Sequence, residues 1–153
     1  MVILDVDGVL TDGRIVYDAS GVEHKCFDVH DGYGIDRAQK LGLKLAIISG
    51  RQSAVVTHRA GELAIGECHQ GANDKVAVFG TIKSRYRLTD DEACFIGDDE
   101  FDLPLLRIVG WSAAPADAMP KVKREVDCVT KAKGGRGAVR EILDTILKAK
   151  NLL

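Results

Sequence analysis

The chain has 153 residues, 46% hydrophobic and 29% charged, with a formal net charge of −2. That length suits one folded unit with one core, and residues 1–153 are read as a single domain. No basic excess favours nucleic acid or an anionic membrane surface, and 5% aromatic residues leave little for stacking bases.

Taken in chain order, Val2–Val6 is a short apolar strand that ends in acids. Arg14–Tyr17 and His24–Val29 are β-like and flank the turn-rich Asp18-Ala-Ser-Gly21, so a hairpin is expected. Gly34–Leu43 has helical spacing. Leu45–Ile48 is an apolar strand stopped by Ser49-Gly50-Arg51. Gln52–Leu63 and Asp74–Leu88 are helical, with room for a short strand between them. Ala93–Ile96 is a strand stopped by Gly97-Asp98-Asp99. Trp111–Ala114 and Cys128–Thr130 are short strands, and Lys121–Arg124 is a solvated helix face. Gly134-Gly135 precedes a last helix, Ala138–Lys150, with Val139, Ile142, Leu143, Ile146 and Leu147 on one face. Short apolar strands alternating with helices predict an α/β fold of three layers, a Rossmann-like parallel sheet covered on both sides.

The four cysteines form no C-x-x-C pair, and the four histidines lack metal spacing. Reduced, packed thiols fit a reducing compartment. No basic, apolar and cleavable leader precedes Val2, and no apolar run has membrane-spanning length, so a cytoplasmic location is expected.

Three strands break off into polar turns, Asp5-Val-Asp-Gly8, Ser49-Gly50 and Gly97-Asp98-Asp99. Ligands of open α/β sheets bind beyond the carboxyl ends of strands, so these turns mark the expected site. A carboxylate can attack a phosphoryl group and hold it as an acyl phosphate. A second carboxyl group can protonate the leaving alkoxide and then deprotonate water. Asp5 is the expected nucleophile and Asp7 the expected proton carrier. An anion attacking an anion needs positive charge nearby, which points to a divalent cation and a lysine. Mg²⁺ prefers oxygen ligands. Asp5, the Asp7 carbonyl and Asp98 could hold it, with Asp99 and Asp102 in the same acidic cluster. That cluster could equally be an acidic helix start favoured by the helix dipole. The Ser49 hydroxyl and the amides of Gly50 and Arg51 form a phosphate cradle, although a plain serine cap has the same sequence. Lys75 at a helix start is mildly unfavourable unless it has a task.

In order and spacing, Asp5-Val-Asp-Gly-Val-Leu-Thr11, Ser49, Lys75 and Gly97-Asp-Asp-x-x-Asp102 resemble the four motifs of the haloacid dehalogenase (HAD) superfamily. A closer resemblance spans nearly the whole chain. Asp5–Gly13, Phe27–Ile35, Ile48–Arg51, Arg59–Leu63, Gln70-Gly71, Asp74-Lys75 and Gly134–Glu141 are similar to the KdsC/YrbI group. The resemblance implies hydrolysis of 3-deoxy-D-manno-octulosonate 8-phosphate (KDO 8-phosphate) or a nonulosonate 9-phosphate, with Mg²⁺. The intervals Asp7–Ser49 and Ser49–Lys75 are too short for a cap domain. In the resembled group a homotetramer closes the site, through the hairpin, here about Arg14–Phe27, and the C-terminal tail. Arg51 is then expected to pair with the substrate carboxylate. Arg136, in what reads as a flexible glycine-rich tail, is expected to reach a neighbouring site. The competing readings are a broad sugar phosphatase, a capless phosphoprotein phosphatase, and a non-catalytic assembly module like that of the CMP-sialate synthetases.

Overall fold

A computed structural model describes residues 1–153. Its six-stranded parallel sheet runs β5-β4-β1-β6-β7-β8. The strands are β1 (Val2–Leu4), β4 (Leu45–Ile48), β5 (Glu67–His69), β6 (Cys94–Ile96), β7 (Trp111–Ala114) and β8 (Cys128–Val129). Every residue of β1, β4 and β6 is buried, because helices cover both faces of the sheet.

Side chains alternate between the two faces with the period of two that a strand imposes. Val2, Leu4, Leu45, Ile47 and Ile96 point into one apolar layer, where Ile35, Ala38, Val56, Ala60, Val139, Ile142 and Leu143 meet them. Those partners come from α1 (Val29–Lys40), α2 (Ala54–Glu62) and α6 (Ala138–Ala149). Ile3, Ala46, Ile48 and Phe95 point the other way, against Phe79, Ile82, Leu103, Leu105 and Val122. These belong to α3 (Lys75–Tyr86), α4 (Leu103–Leu106) and α5 (Pro120–Glu125).

From β1 the chain first builds outward through β4 and β5, then returns to β6 on the other side of β1. The order therefore reverses at β1, and a crevice opens at the carboxyl ends of β1, β4 and β6. No cap domain stands over it. Its neighbour is a two-stranded antiparallel hairpin, β2 (Val16–Tyr17) and β3 (Glu23–His24). Asp18 forms the turn by accepting from the amides of Ser20 and Val22 at 2.8 and 2.9 Å. Hairpin residues Ile15, Val16, Tyr17 and Val22 are each about half exposed, at 50, 49, 57 and 54%.

Two expectations need correction. Val29 opens α1 rather than closing a strand, because the Asp28 carboxylate caps the helix by accepting from the amides of His30 and Asp31. Gly134–Gly137 is not a free tail. A Cβ on Gly134 would lie 1.8 Å from the Gly8 carbonyl oxygen, so only glycine allows the segment to pack on the first loop. The Gly135 amide donates to the Val9 carbonyl at 2.9 Å and that of Gly134 to Asp117 at the same distance.

The start of α6 has no cap of its own, since Gly137 carries no side chain. Asp31 of α1, 1% exposed, supplies one by accepting from Gly137 N at 3.2 Å and Arg140 N at 2.7 Å. Asp31→Ala should therefore lower the unfolding free energy by about 1–2 kcal/mol, the usual range for a lost cap. Denaturant titration measures it; an unchanged midpoint would mean that these two bonds are not net stabilising.

Candidate active site

The three strand ends place their polar groups around one cavity of about 300 Å³. Asp5 follows β1 and continues its ladder, its amide donating to the Ile96 carbonyl at 3.0 Å. Ser49 follows β4 in the same way, donating to the His69 carbonyl at 2.9 Å. Lys75 is the first residue of α3, whose cap is Asp74. Asp98, Asp99 and Asp102 lie in the turn after β6. Asp5, Asp7, Ser49, Gly50, Arg51, Lys75, Asp98, Asp99 and Asp102 all line the cavity.

The Lys75 ammonium is the centre of this arrangement. Its side chain is 3% exposed, and Nζ stands 2.8 Å from Asp5 Oδ1 and 2.6 Å from Asp102 Oδ1. Burial works against its charge, but Asp5 and Asp102 outweigh burial and hold its pKa above the ordinary value. The other oxygen of Asp102 accepts from the amides of Asp98 and Asp99, at 2.9 and 3.3 Å. Asp102 thus ties the lysine to the turn that carries Asp98.

One ammonium does not balance the acids. Carboxylate oxygens of Asp5, Asp98 and Asp102 lie within 4.8 Å of one another. Burial first, then the neighbouring Asp102, pushes Asp5 up to about 6. Burial, then Asp5, Asp102 and Asp99, pushes Asp98 up to about 8. Gly8, at φ +88°, permits this crowding: a Cβ there would come within 2.0 Å of Asp98 Oδ2. Converging hard oxygen donors with an unmet negative charge fit a divalent cation such as Mg²⁺. Asp5 and Asp98 have oxygens free of hydrogen-bonded partners for it, whereas Asp102 has both oxygens engaged.

Two expected residues fall outside the cluster. The exposed Asp99 turns its carboxylate to the Glu100 amide, 2.6 Å away, and caps the next turn. Arg136 is exposed and does not line the cavity, because its segment is fixed on the first loop. Arg51 does line it; its Nη2 donates to Glu23 at 2.6 Å and to the Tyr17 hydroxyl at 3.4 Å.

Three neighbours of the site escaped the sequence reading. Lys25 donates to Asp7 Oδ1 at 2.5 Å, and Glu23 holds Arg51. Glu23 lies in β3 and Lys25 one residue past its end, and their spacing of two, which in extended chain points side chains the same way, is a signal available in the sequence. The third is Phe101, the one apolar side chain lining the cavity. It packs over Lys75, with Nζ 5.4 Å from the ring centre. It interrupts an acidic run that gave no hint of an aromatic wall.

Comparison with known proteins identifies the family. The sequence profile of haloacid dehalogenase-like hydrolases matches residues 67–143. The chain is 41% identical over all 153 residues to the 3-deoxy-D-manno-octulosonate 8-phosphate phosphatase KdsC of Escherichia coli K12, spanning 81% of that protein. The crystal structure of the corresponding Yersinia pestis phosphatase superposes with a TM-score of 0.98 at 41% identity, covering 99% of this chain and 82% of that one. The Moraxella catarrhalis phosphatase, solved with magnesium ion, phosphate ion and KDO, gives a TM-score of 0.95 at 38% identity, covering 99% and 87%. Its fold, its motifs and its full-length similarity together place the chain in the haloacid dehalogenase-like hydrolase family, within the capless KdsC/YrbI group.

Proposed function

We propose that this protein is a Mg²⁺-dependent phosphoric monoester hydrolase that converts KDO 8-phosphate to KDO and phosphate through an aspartyl phosphate on Asp5. The observation that carries the reading is the meeting of Asp5, Lys75 and Asp98 at the ends of separate chain segments. A relative of known structure binds magnesium, phosphate and KDO, and it shares this fold at 38% identity.

Each residue then has a task. The Ser49 hydroxyl, the Gly50 and Arg51 amides and the Lys75 ammonium hold the phosphate oxygens. Asp5 forms a bond to phosphorus as the ester bond breaks, and Asp7 gives its proton to the leaving sugar oxygen. Asp7 then takes a proton from the water that cleaves the aspartyl phosphate, which restores both carboxyl groups. Asp5, the Asp7 carbonyl and Asp98 hold Mg²⁺, with Asp102 orienting the turn. When bound, the ion neutralises charge on the phosphoryl oxygens. Arg51 pairs with the carboxylate of the sugar acid.

A capless site needs another source of closure and specificity. We assign it to a homotetramer in which the apolar hairpin meets neighbouring subunits and Arg136 reaches a neighbour's cavity. The half-exposed Ile15, Val16, Tyr17 and Val22 support such a contact. The four free thiols fit the cytoplasm, and no helix is long and apolar enough to cross a membrane.

A phosphate-release assay with Mg²⁺ tests the function. KDO 8-phosphate should turn over faster than nonulosonate 9-phosphates and hexose phosphates, and Asp5→Asn should abolish release while melting no lower than wild type. Residual turnover in that variant would remove the covalent route.

A pH dependence follows from the raised carboxyl groups. An acid whose folded pKa lies above its unfolded value penalises folding as it ionises. Here the penalty is absent below about pH 4 and grows as pH rises, reaching its full extent near pH 6 for Asp5 and near pH 8 for Asp98. Mg²⁺ should relieve it, so the ion should raise Tm more at pH 8 than at pH 5, and EDTA should reverse the gain. Equal shifts at both pH values would argue against these acids as the ion's ligands. Light scattering should give a mass near four times 16.5 kDa; a monomer would remove the tetramer and favour an open site for larger substrates.

A further inference from the structure

At the side of the cavity, four charges of alternating sign link the hairpin to the two loops, with Asp7 and Arg51 lining the cavity. Lys25 Nζ is 2.5 Å from Asp7 Oδ1 and 3.4 Å from Glu23 Oε1. Arg51 Nη2 is 2.6 Å from the same Glu23 oxygen, while Arg51 Nε is 3.5 Å from Asp7 Oδ2 and has no hydrogen-bond partner. The Lys25 side chain is only 1% exposed, although the strand that leads to it projects from the sheet. A lysine buried that far loses its hydration and needs acceptors in return. Asp7 is its nearest acceptor and lines the cavity, whereas Lys25 does not. Lys25 therefore acts from behind Asp7, without reaching the substrate.

An aspartate carboxylate turns easily about its last torsion. With Lys25 gone, the nearest cation to Asp7 is Arg51, whose planar fork pairs readily with a carboxylate. That pairing would turn Asp7 away from the phosphoryl group and use up Arg51 as well. In the intact protein Lys25 takes Asp7 at 2.5 Å and Glu23 takes Arg51 at 2.6 Å, so Asp7 and Arg51 meet only through a longer contact of 3.5 Å.

We propose that Lys25 is a positioning residue that holds the Asp7 carboxylate in its working orientation and keeps it from collapsing onto Arg51. This inference rests on Asp7 being the proton carrier of the reaction proposed above. It extends that reading by making the hairpin part of each subunit's own proton-transfer machinery.

Rapid mixing of Lys25→Met with p-nitrophenyl phosphate and Mg²⁺ tests it. Asp5 attacks phosphorus, the ester bond breaks, and p-nitrophenolate leaves without needing a proton. Release of phosphate from Asp5 still requires a water whose proton passes to Asp7. Misplacing Asp7 should therefore slow the second step more than the first. The expected result is a burst of about one p-nitrophenolate per active site, absent in wild type, before a steady rate lowered about ten- to hundred-fold. Lys25→Arg should shrink the burst and recover part of the rate, and Asp7→Asn should show the burst as a positive control. A lowered rate with no burst would assign Lys25 to packing alone, and an unchanged rate would also overturn the proposal. If circular dichroism shows Lys25→Met unfolded, Lys25→Gln is read by the same criteria. Wild type inert toward both this ester and KDO 8-phosphate would instead refute the phosphatase reading itself.

Discussion

Three carboxylates meet at the centre of the sheet's edge, and one buried ammonium holds two of them in place. Lys75 bridges Asp5 and Asp102 at 2.8 and 2.6 Å, and the far oxygen of Asp102 fixes the turn that presents Asp98. Removing the ammonium of such a buried group costs about 3–5 kcal/mol, because the carboxylates are left uncompensated, whereas Lys75 keeps Asp102 if the Asp5 charge is lost. The contact thus serves geometry more than net stability. It fixes the loop after β1 against the loop after β6, and it leaves a surplus of negative charge facing the cavity. The folded chain carries that surplus as an electrostatic penalty, and a bound cation would relieve it.

The sheet explains why such distant residues can meet. Strand order reverses at β1, so the ends of β1, β4 and β6 lie side by side although the chain between them forms helices on both faces. The apolar layers above and below the sheet are complete without any of the site residues. The site residues are therefore free to be chosen for chemistry, and their crowding is borne by a rigid scaffold.

Much of this was legible in the sequence, and the reasons are particular. Apolar runs such as Leu45–Ile48 and Ala93–Ile96 are short and end in polar turns, so their strands were clear. The acids after β1 and β6 declared themselves by position. Lys25 did not, because a lysine in a hairpin strand looks solvated until the loop it leans on is known. Gly134–Gly137 read as a flexible tail because glycine runs signal freedom; here the same glycines allow two backbones to touch. Asp31 drew no reading from the sequence, because its partners, Gly137 and Arg140, lie more than a hundred positions away. Local pattern reports local structure, and these contacts depend on long-range closure.

The seat of Gly134 on the Gly8 carbonyl has a consequence for biosynthesis. The loop that presents Asp5 and Asp7 is synthesised more than a hundred residues before its backing, Gly134–Gly137 and α6. Until then the β1 turn lacks both the glycine segment and the α6 side chains that cover β1. A nascent chain can assemble β1, β4 and β6 and still have an unsupported Asp5–Asp7 turn. The Asp5–Asp7 turn is therefore expected to reach its final geometry only once α6 has been made and has docked.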